Sequence, residues 1–504
     1  MKNNVYTCIE IGSYEIKILV SNLREERLFV LAQKSIESQG IEKGQITNFN
    51  RLVTQIKKLK EMVEADLKIK LDNVVLAVAP IDAVIENVIG RINLDINSPI
   101  DSTDVKSLFR QLIAQPHTDS YFPVSLVPRL FRIDESHVVQ NPRGLSGMGL
   151  GLEAHRVLMP TTTISNLVHA VEKSDFKVEE IIVESIAETL LTLTTPQRYA
   201  RTCHINIGHQ ITTITTVNDG KILHARSLSV GGSDITDAVA QEFGISKAVA
   251  DQLKVRYGKV IQGPNDQDDS QVIYVDTDKV MKFITRGMLN EVITNSCERI
   301  CRILKHHIVD EMRLREQEYH YSLSGGTAEL RDIISLLYEQ LPMQISIYRP
   351  PMLGVRNARF SSLVGTTIFA HELSLLLGTR EKSDEPLKEE PKQEEKTQIE
   401  EDDYDQDFIP ILEETLPFTQ LALGNNTSLK DAIAGISAMG NGNNVLKADK
   451  PAQSLPVYGD FDDSLKKIPK QNPYEETYMD KKMENSGKLV RFFDRIFNEN
   501  DDAE

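Results

Sequence analysis

The sequence predicts an α/β protein with an internally duplicated body, and three observations carry this. A tight Gly-Ser turn joins two strand-like runs near the N-terminus, Val5 to Ile11 and Ile16 to Val20. The same grammar returns at His204 to Ile207 and Ile211 to Val217, around the turn Gly208-His209-Gln210. Each copy is followed by a third strand and by helices, so one unit reads twice along the chain.

In the first copy the third strand is Leu28 to Ala32. A helix over 49–69 follows, with Leu52, Ile56, Leu59, Met62, Val63 and Leu67 at helical spacing. Asn73 to Ala79 reads as a buried strand, and residues 80–160 read as an insert of mixed α and β character. Thr-rich residues at 161 can cap a helix running to about 175; Val178 to Val183 is a strand and Ile186 to Leu193 a helix. In the second copy Asn218-Asp219-Gly220 is a turn signal before a strand at Lys221 to Ser229. Helices are predicted over 233–243, 246–256 and 278–310. Tyr319 to Leu323 is a strand ending in Ser324-Gly325-Gly326-Thr327, and 328–340 is helical.

With 504 residues the chain exceeds what one core usually organises. Its net charge of −17 repels nucleic acid phosphates, which argues against a nucleic acid partner. Cys8, Cys203, Cys297 and Cys301 are too few for a disulfide framework, and packing in a reducing cytosol is their expected role. No signal-peptide pattern is read at the N-terminus, and no run of 18 apolar residues suggests a bilayer-spanning helix.

Composition changes after Thr379. Residues 381–404 hold eleven acidic residues against four lysines, and polar residues and prolines dominate to about 485. Such a segment buries too little apolar surface to offset its ordering entropy, so a disordered acidic linker is expected over 381–485. Two apolar islands, Phe408 to Leu416 and Leu429 to Ala438, interrupt it.

The last segment, 486–499, is expected to be an amphipathic helix. Leu489, Val490, Phe492, Phe493, Ile496 and Phe497 share one face; Lys488, Arg491, Asp494 and Arg495 share the other. Six apolar side chains at roughly 1.5 kcal/mol give about 9 kcal/mol gross. Ordering ten residues costs about 10 kcal/mol, and each basic residue adds roughly 1 kcal/mol near anionic lipid. One copy is therefore a weak, reversible anchor, and many copies on one assembly bind by avidity.

The turns carry the chemistry. Glu10-Ile11-Gly12-Ser13 ends a buried strand, where backbone amides can meet a phosphate and glycine allows close approach. Ser13 adds a hydroxyl, and Lys17 could balance phosphate charge. Asn206-Ile207-Gly208 holds the equivalent place in the second copy. Gly231-Gly232 and Gly325-Gly326-Thr327 each join a strand to a helix. No Walker P-loop is present.

This order resembles the ATPase superfamily of actin, sugar kinases and heat-shock chaperones. Within it, Asn141-Pro142-Arg143-Gly144-Leu145-Ser146-Gly147 is similar to the bacterial cell-division protein FtsA, as are His169-Ala170-Val171-Glu172 and Phe176-Lys177-Val178. Val230-Gly231-Gly232-Ser233-Asp234-Ile235-Thr236 resembles that family's Gly-Gly-x-x-Ile-Thr turn. Ala250-Asp251-Gln252-Leu253-Lys254 with Tyr257-Gly258 resembles its Ala-Glu-x-x-Lys helix, and Ser361-Ser362-Leu363-Val364-Gly365 its closing Ser/Thr-x-x-Gly element.

The resemblance implies an actin-like, ribonuclease-H-like duplicated fold with an FtsA-type inserted subdomain. Its parts would be subdomain 1A over 1–83 and 162–198, the insert 1C over 84–161, subdomain 2A over 199–258 and 318–380, and subdomain 2B over 259–317. ATP with Mg²⁺ would sit between the halves. Gly12, Ser13 and Gly208 would meet the phosphates, Asp251 and Lys254 the ribose and base, and Gly325, Gly326 and Thr327 the adenosine, with Glu10, Lys17, Asn206 and Gly232 also in the nucleotide-binding set. The implied role is a division-ring adaptor that polymerises on the cytoplasmic face of the membrane. Its implied partners are the FtsZ C-terminal tail, anionic inner-membrane lipids, other copies of itself and other divisome proteins. Arg299, Arg302 and Lys305, on one helix, are candidates for the FtsZ tail; the alternative is a solvated helix face.

The second turn departs from the family pattern. Its acidic residue is Asn206, its small residues are His209-Gln210-Ile211, and its later Asp falls at Thr213. Weakened metal binding and weak or no ATP hydrolysis are expected, with nucleotide binding retained. The other readings are a pilus-assembly actin homologue and a chaperone-like or sugar-kinase-like ATPase.

Overall fold

A computed structural model describes residues 5–24, 27–95, 98–192, 201–261, 263, 269–277, 280–312, 319–340 and 345–380. The acidic linker and terminal helix expected from the sequence lie outside the described residues.

The first half is a five-stranded sheet in the order β11-β6-β1-β2-β3. β1 (Val5–Ile11), β2 (Glu15–Arg24) and β3 (Arg27–Glu37) form an antiparallel meander, and β6 (Asn73–Val78) and β11 (Lys177–Val183) continue it in parallel. The second half repeats this plan as β14-β13-β12-β17-β18. β12 (Thr202–Ile207), β13 (Thr212–Asn218) and β14 (Lys221–Leu228) are its meander, with β17 (His320–Ser324) and β18 (Ile345–Ile347) parallel to it. The central strands β1 and β12 are buried on both faces over most of their length, as strands covered on both sides must be.

Between the halves of the first unit stands an antiparallel sheet, β7-β10-β8-β9. It comprises β7 (Val84–Asn93), β8 (Tyr121–Ile133), β9 (His137–Val139) and β10 (Gly149–Pro160), with α2 (Ser102–Ile113) against it. Asp101 caps α2 through a reciprocal box with Asp104. The buried Arg156 guanidinium donates to Leu112 O, Ile113 O and Gln115 O at the other end of α2 and pairs with Glu86 at 2.6 Å. The remaining helices are α1 (Phe49–Leu67), α3 (Thr161–Glu172), α4 (Glu184–Thr192), α5 (Gly232–Phe243), α6 (Lys247–Tyr257), α7 (Arg286–Lys305), α8 (Ile333–Gln340) and α9 (Ser361–Leu377).

Three sequence expectations need correction. The helix expected over 278–310 begins only at Arg286. Val272–Thr277 and Val280–Thr285 form a hairpin, β15–β16, because Val280, Phe283, Ile284 and Thr285 are β-branched or aromatic, and the helix ends in a π-turn, His306–Glu311. The 328–340 helix is split into a 3₁₀ turn, Gly326–Glu329, and α8. Thr161 does not cap α3; it is the first helical residue after Pro160, and no side chain caps that end. Ala358–Leu377 is long and apolar enough on average to cross a membrane, although no unbroken apolar run marks it. Its apolar window is 83% buried inside the body, which identifies a core helix.

α9 ties the N-terminal strand to α4. Thr367 donates to Cys8 Sγ on β1, Tyr6 OH meets Ser374 at 2.6 Å, and Gly365 lets the helix backbone come against Glu188 of α4. All four cysteines are free and buried. A junction also joins the inserted sheet to β14: His155, 2% exposed, accepts the Ile222 N–H at 3.2 Å. Burial first, then Arg129 and Lys221, push its imidazole down to about 4, against weaker support from Gly220. The detached form takes up a proton below about 6.5, so the junction is fully stable above that pH and loses up to about 3 kcal/mol as pH falls toward 4. The protection factor of the Ile222 amide, its exchange rate relative to the intrinsic rate at each pH, should therefore fall as pH drops through this window in the native chain and stay constant in His155→Gln.

Candidate functional site

The two meander turns face one cavity of about 470 Å³, within the range of small-molecule sites. They are built alike: Gly12 N donates to Glu15 O at 3.2 Å, and Gly208 N to Ile211 O at 3.0 Å. A Cβ at Gly208 would sit 2.7 Å from Ile211 O, so only glycine closes this turn. The Gly208 carbonyl is a junction. It accepts from Gly232 N at the start of α5 and from Thr327 Oγ1, both at 2.9 Å, while His209 O accepts from Ser233 N at 2.7 Å. The first amides of α5 are thereby satisfied by the turn. Gly325, at φ +91°, passes so close to Asn206 Oδ1 and Ile207 O that a side chain would collide.

Every sequence-nominated residue from Glu10 to Thr327 lines this cavity, apart from the α7 cluster. Their charges, however, are spent on one another. Lys17 is buried, pairs with Glu10 at 2.6 Å and donates to Arg359 O at 2.6 Å. It is not a free cation for a phosphate, and Ser362 completes Glu10 with a 2.6 Å bond. Lys254 donates to Asp251 Oδ1 and Thr236 Oγ1, each at 2.7 Å, and to Gly232 O at 3.1 Å. Burial pushes the Asp251 carboxyl up, but Lys254, with bonds from Tyr14 and Thr236, more than offsets this and holds it below the usual range.

Sequence reasoning missed two carboxylates. Glu184, first residue of α4, lines the cavity; burial, then the neighbouring Glu10, pushes it well above the ordinary range. Its position at the end of β11 was the available signal. Glu188 is fully buried one turn later. It accepts from Asn206 Nδ2 at 2.8 Å and lies 3.4 Å from His204 Nε2, which meets Ser324 Oγ at 3.0 Å. Burial raises its carboxyl, yet His204, Asn206 and Ser324 hold it below the usual range, so it is an anion.

The donor set does not fit a protein-held Mg²⁺. Asn206 directs its amide nitrogen to Glu188, Glu10 is ion-paired, position 213 is Thr, and no three His, Cys, Asp or Glu among the described residues converge on one point. A nucleotide fits better: glycines at 12, 208, 232, 325 and 326 keep side chains out of the cavity and leave room for a bulky ligand, and the Ser13 hydroxyl stands at its edge.

Arg299, Arg302 and Lys305 stand exposed on α7, away from the cavity. Arg299 donates to Asp234 at 2.9 Å, and Lys305 to Gln340 O at 3.4 Å. Lys488, Leu489, Val490, Arg491, Phe492, Phe493, Arg495, Ile496 and Phe497 lie outside the described residues.

The repeated sheets, the central cavity and the inserted sheet define an actin-like α/β protein. Among solved structures, the PilM-PilN type IV pilus biogenesis complex superposes with a TM-score of 0.51 at 14% identity, covering 72% of this chain and 98% of that one, a likeness of fold. More narrowly, the chain is similar to the bacterial cell-division protein FtsA. Residues 203–365 match the family model described as cell division protein FtsA, and 83–158 match the SHS2 domain inserted in FTSA. The chain is 24% identical over 374 residues to cell division protein FtsA of Streptococcus pneumoniae serotype 2 (strain D39 / NCTC 7466), spanning 74% of this chain and 81% of that protein. It is 23% identical over 372 residues to cell division protein FtsA of Bacillus subtilis (strain 168), spanning 73% and 84%.

Replacing Asn206 by Asp should set a second carboxylate against the buried Glu188 anion. The chain should lose about 2–4 kcal/mol in urea unfolding; unchanged stability would contradict the assignment of Glu188 as an ionised acceptor.

Proposed function

We propose that the chain is a cell-division adaptor that binds ATP in the cavity, assembles on the cytoplasmic face of the membrane at the division site, and tethers FtsZ filaments there. The observation that carries the reading is the pair of equivalent glycine turns meeting at one cavity, in a chain whose relatives are cell division proteins. In this reading Gly12, Ser13 and Gly208 receive the phosphates. Asp251 and Lys254 lie at the ribose and base, and Gly232, Gly325, Gly326 and Thr327 shape the adenosine side. The chemistry supplied by ATP is occupancy and charge at the turns, and hydrolysis is weak or absent. Glu10 is tied to Lys17, Asn206 carries no charge where the related pattern has an acid, and position 213 is Thr, which together support weak hydrolysis.

The segment Lys488 to Phe497 supplies the membrane contact, the acidic stretch over 381–485 the spacing between body and bilayer, and assembly the avidity that one short segment lacks. The FtsZ tail would meet the second half, where Arg302 on α7 offers positive charge. The pilus-assembly reading shares the fold, but the two FtsA-derived family matches favour division.

Flotation with anionic vesicles tests the reading. Intact chain plus FtsZ should float together. Truncation at 487 and Phe493→Glu should each leave both proteins at the bottom, and co-flotation of FtsZ with either variant would contradict the tether.

A further inference from the structure

Three consecutive residues of the second turn reach across the cavity to the first half. The His209 ring packs on Tyr14 of the first turn, with ring centroids 4.9 Å apart and planes tilted by 49°. Gln210 Oε1 accepts the backbone N–H of Lys43, between the short strands β4 (Ile41–Glu42) and β5 (Gln45–Ile46), at 2.8 Å. Ile211 Cδ1 stands so near Gly44 that a Cβ there would lie 3.2 Å from it. Tyr14 OH then donates to Asp251 Oδ2 on α6 at 2.9 Å. Tyr14, Gly44, His209, Ile211 and Asp251 all border the cavity.

These contacts differ in kind: a ring pair, a side chain to a backbone amide, an apolar contact and a hydroxyl to a carboxylate. They share a direction, since each joins an element of the first half to one of the second. The residues engaged in the turn are also the wrong shape for a bare phosphate cradle. An imidazole, a carboxamide and a branched aliphatic chain occupy a turn whose counterpart carries Ser13 and Tyr14. Their bulk is directed over the cavity instead, and the backbone hydrogen bond of Gly208 to Ile211 fixes the turn that presents them.

We propose that His209, Gln210 and Ile211, with Tyr14 and the Lys43-Gly44 turn, form a clasp that holds the two halves together over the cavity. Closure is then made by protein contacts, and a ligand's phosphates are not required for it. A corollary, which rests on the nucleotide reading, is that the clasp limits how fast nucleotide enters and leaves.

The test uses the full chain stripped of nucleotide, with spin labels on two introduced cysteines, Ala65→Cys on the exposed side of α1 and Gln241→Cys on that of α5. The native cysteines are buried and leave the labelling selective. The labelled chain should give one narrow distance distribution that ATP leaves unchanged. Tyr14→Ala/His209→Ala/Gln210→Ala should broaden and lengthen it with the far-ultraviolet circular dichroism unaltered, and should speed nucleotide release about tenfold. Should the triple variant fail to fold, Gln210→Ala alone should give a partial broadening. Identical distributions with and without the clasp, or a native chain whose distribution is broad until ATP narrows it, would overturn the proposal. Absence of ATP binding would sink the nucleotide reading and its corollary, while the nucleotide-free comparison would still decide the clasp.

Discussion

A hairpin closed at the end of a buried strand is the constraint on which the rest depends. β1 and β12 lie in the middle of their sheets, so they cannot end in water-loving loops without exposing their neighbours. Each turns back within four residues, and each does so with a glycine amide donating to a carbonyl three residues on, Gly12 to Glu15 and Gly208 to Ile211. Because the same turn is made twice, the two sheets present matching tips. Those tips, the α5 start fastened to Gly208 O, and the Gly325 approach to Asn206 together leave one cavity between the halves.

Inside it, charge is balanced locally. Glu10 answers Lys17, Glu15 answers Arg359 at 3.2 Å, Asp251 answers Lys254, and Glu329 answers Arg349 at 2.9 Å. In the proposed reading, a ligand there would be held by hydroxyls and shape more than by free cations. The second balance, Glu188 with His204, Asn206 and Ser324, is out of reach of water and joins α4 to β12 and β17. It explains why position 206 is an amide: it must donate toward a buried carboxylate.

The duplicated plan was legible because its signals are local. Gly12-Ser13 and Asn218-Asp219-Gly220 sit between alternating apolar runs, and Leu52, Ile56, Leu59 and Val63 keep helical spacing and are all buried in α1. The cavity-lining glycines were legible for the same reason. What escaped was set by partners distant in sequence. Lys17 looks free until Glu10 and the Arg359 carbonyl, more than 300 residues away, are placed beside it. Glu188 gives no sign of its burial, and His209-Gln210 reads as a damaged turn until Tyr14 and Lys43 arrive. The β15–β16 hairpin escaped because its second strand runs directly into α7, and Thr285 serves as both last strand residue and cap of that helix.

Calorimetric titration of the full chain with ATP tests the central claim most directly, compared with Gly326→Val. A Cβ at Gly326 has its nearest neighbour, Arg359 Cβ, 3.9 Å away, so valine enters the cavity without disturbing the fold. The account predicts one saturable site in the native chain and at least a tenfold weaker one in the variant. No binding to the folded native chain, or equal binding by both, would contradict it.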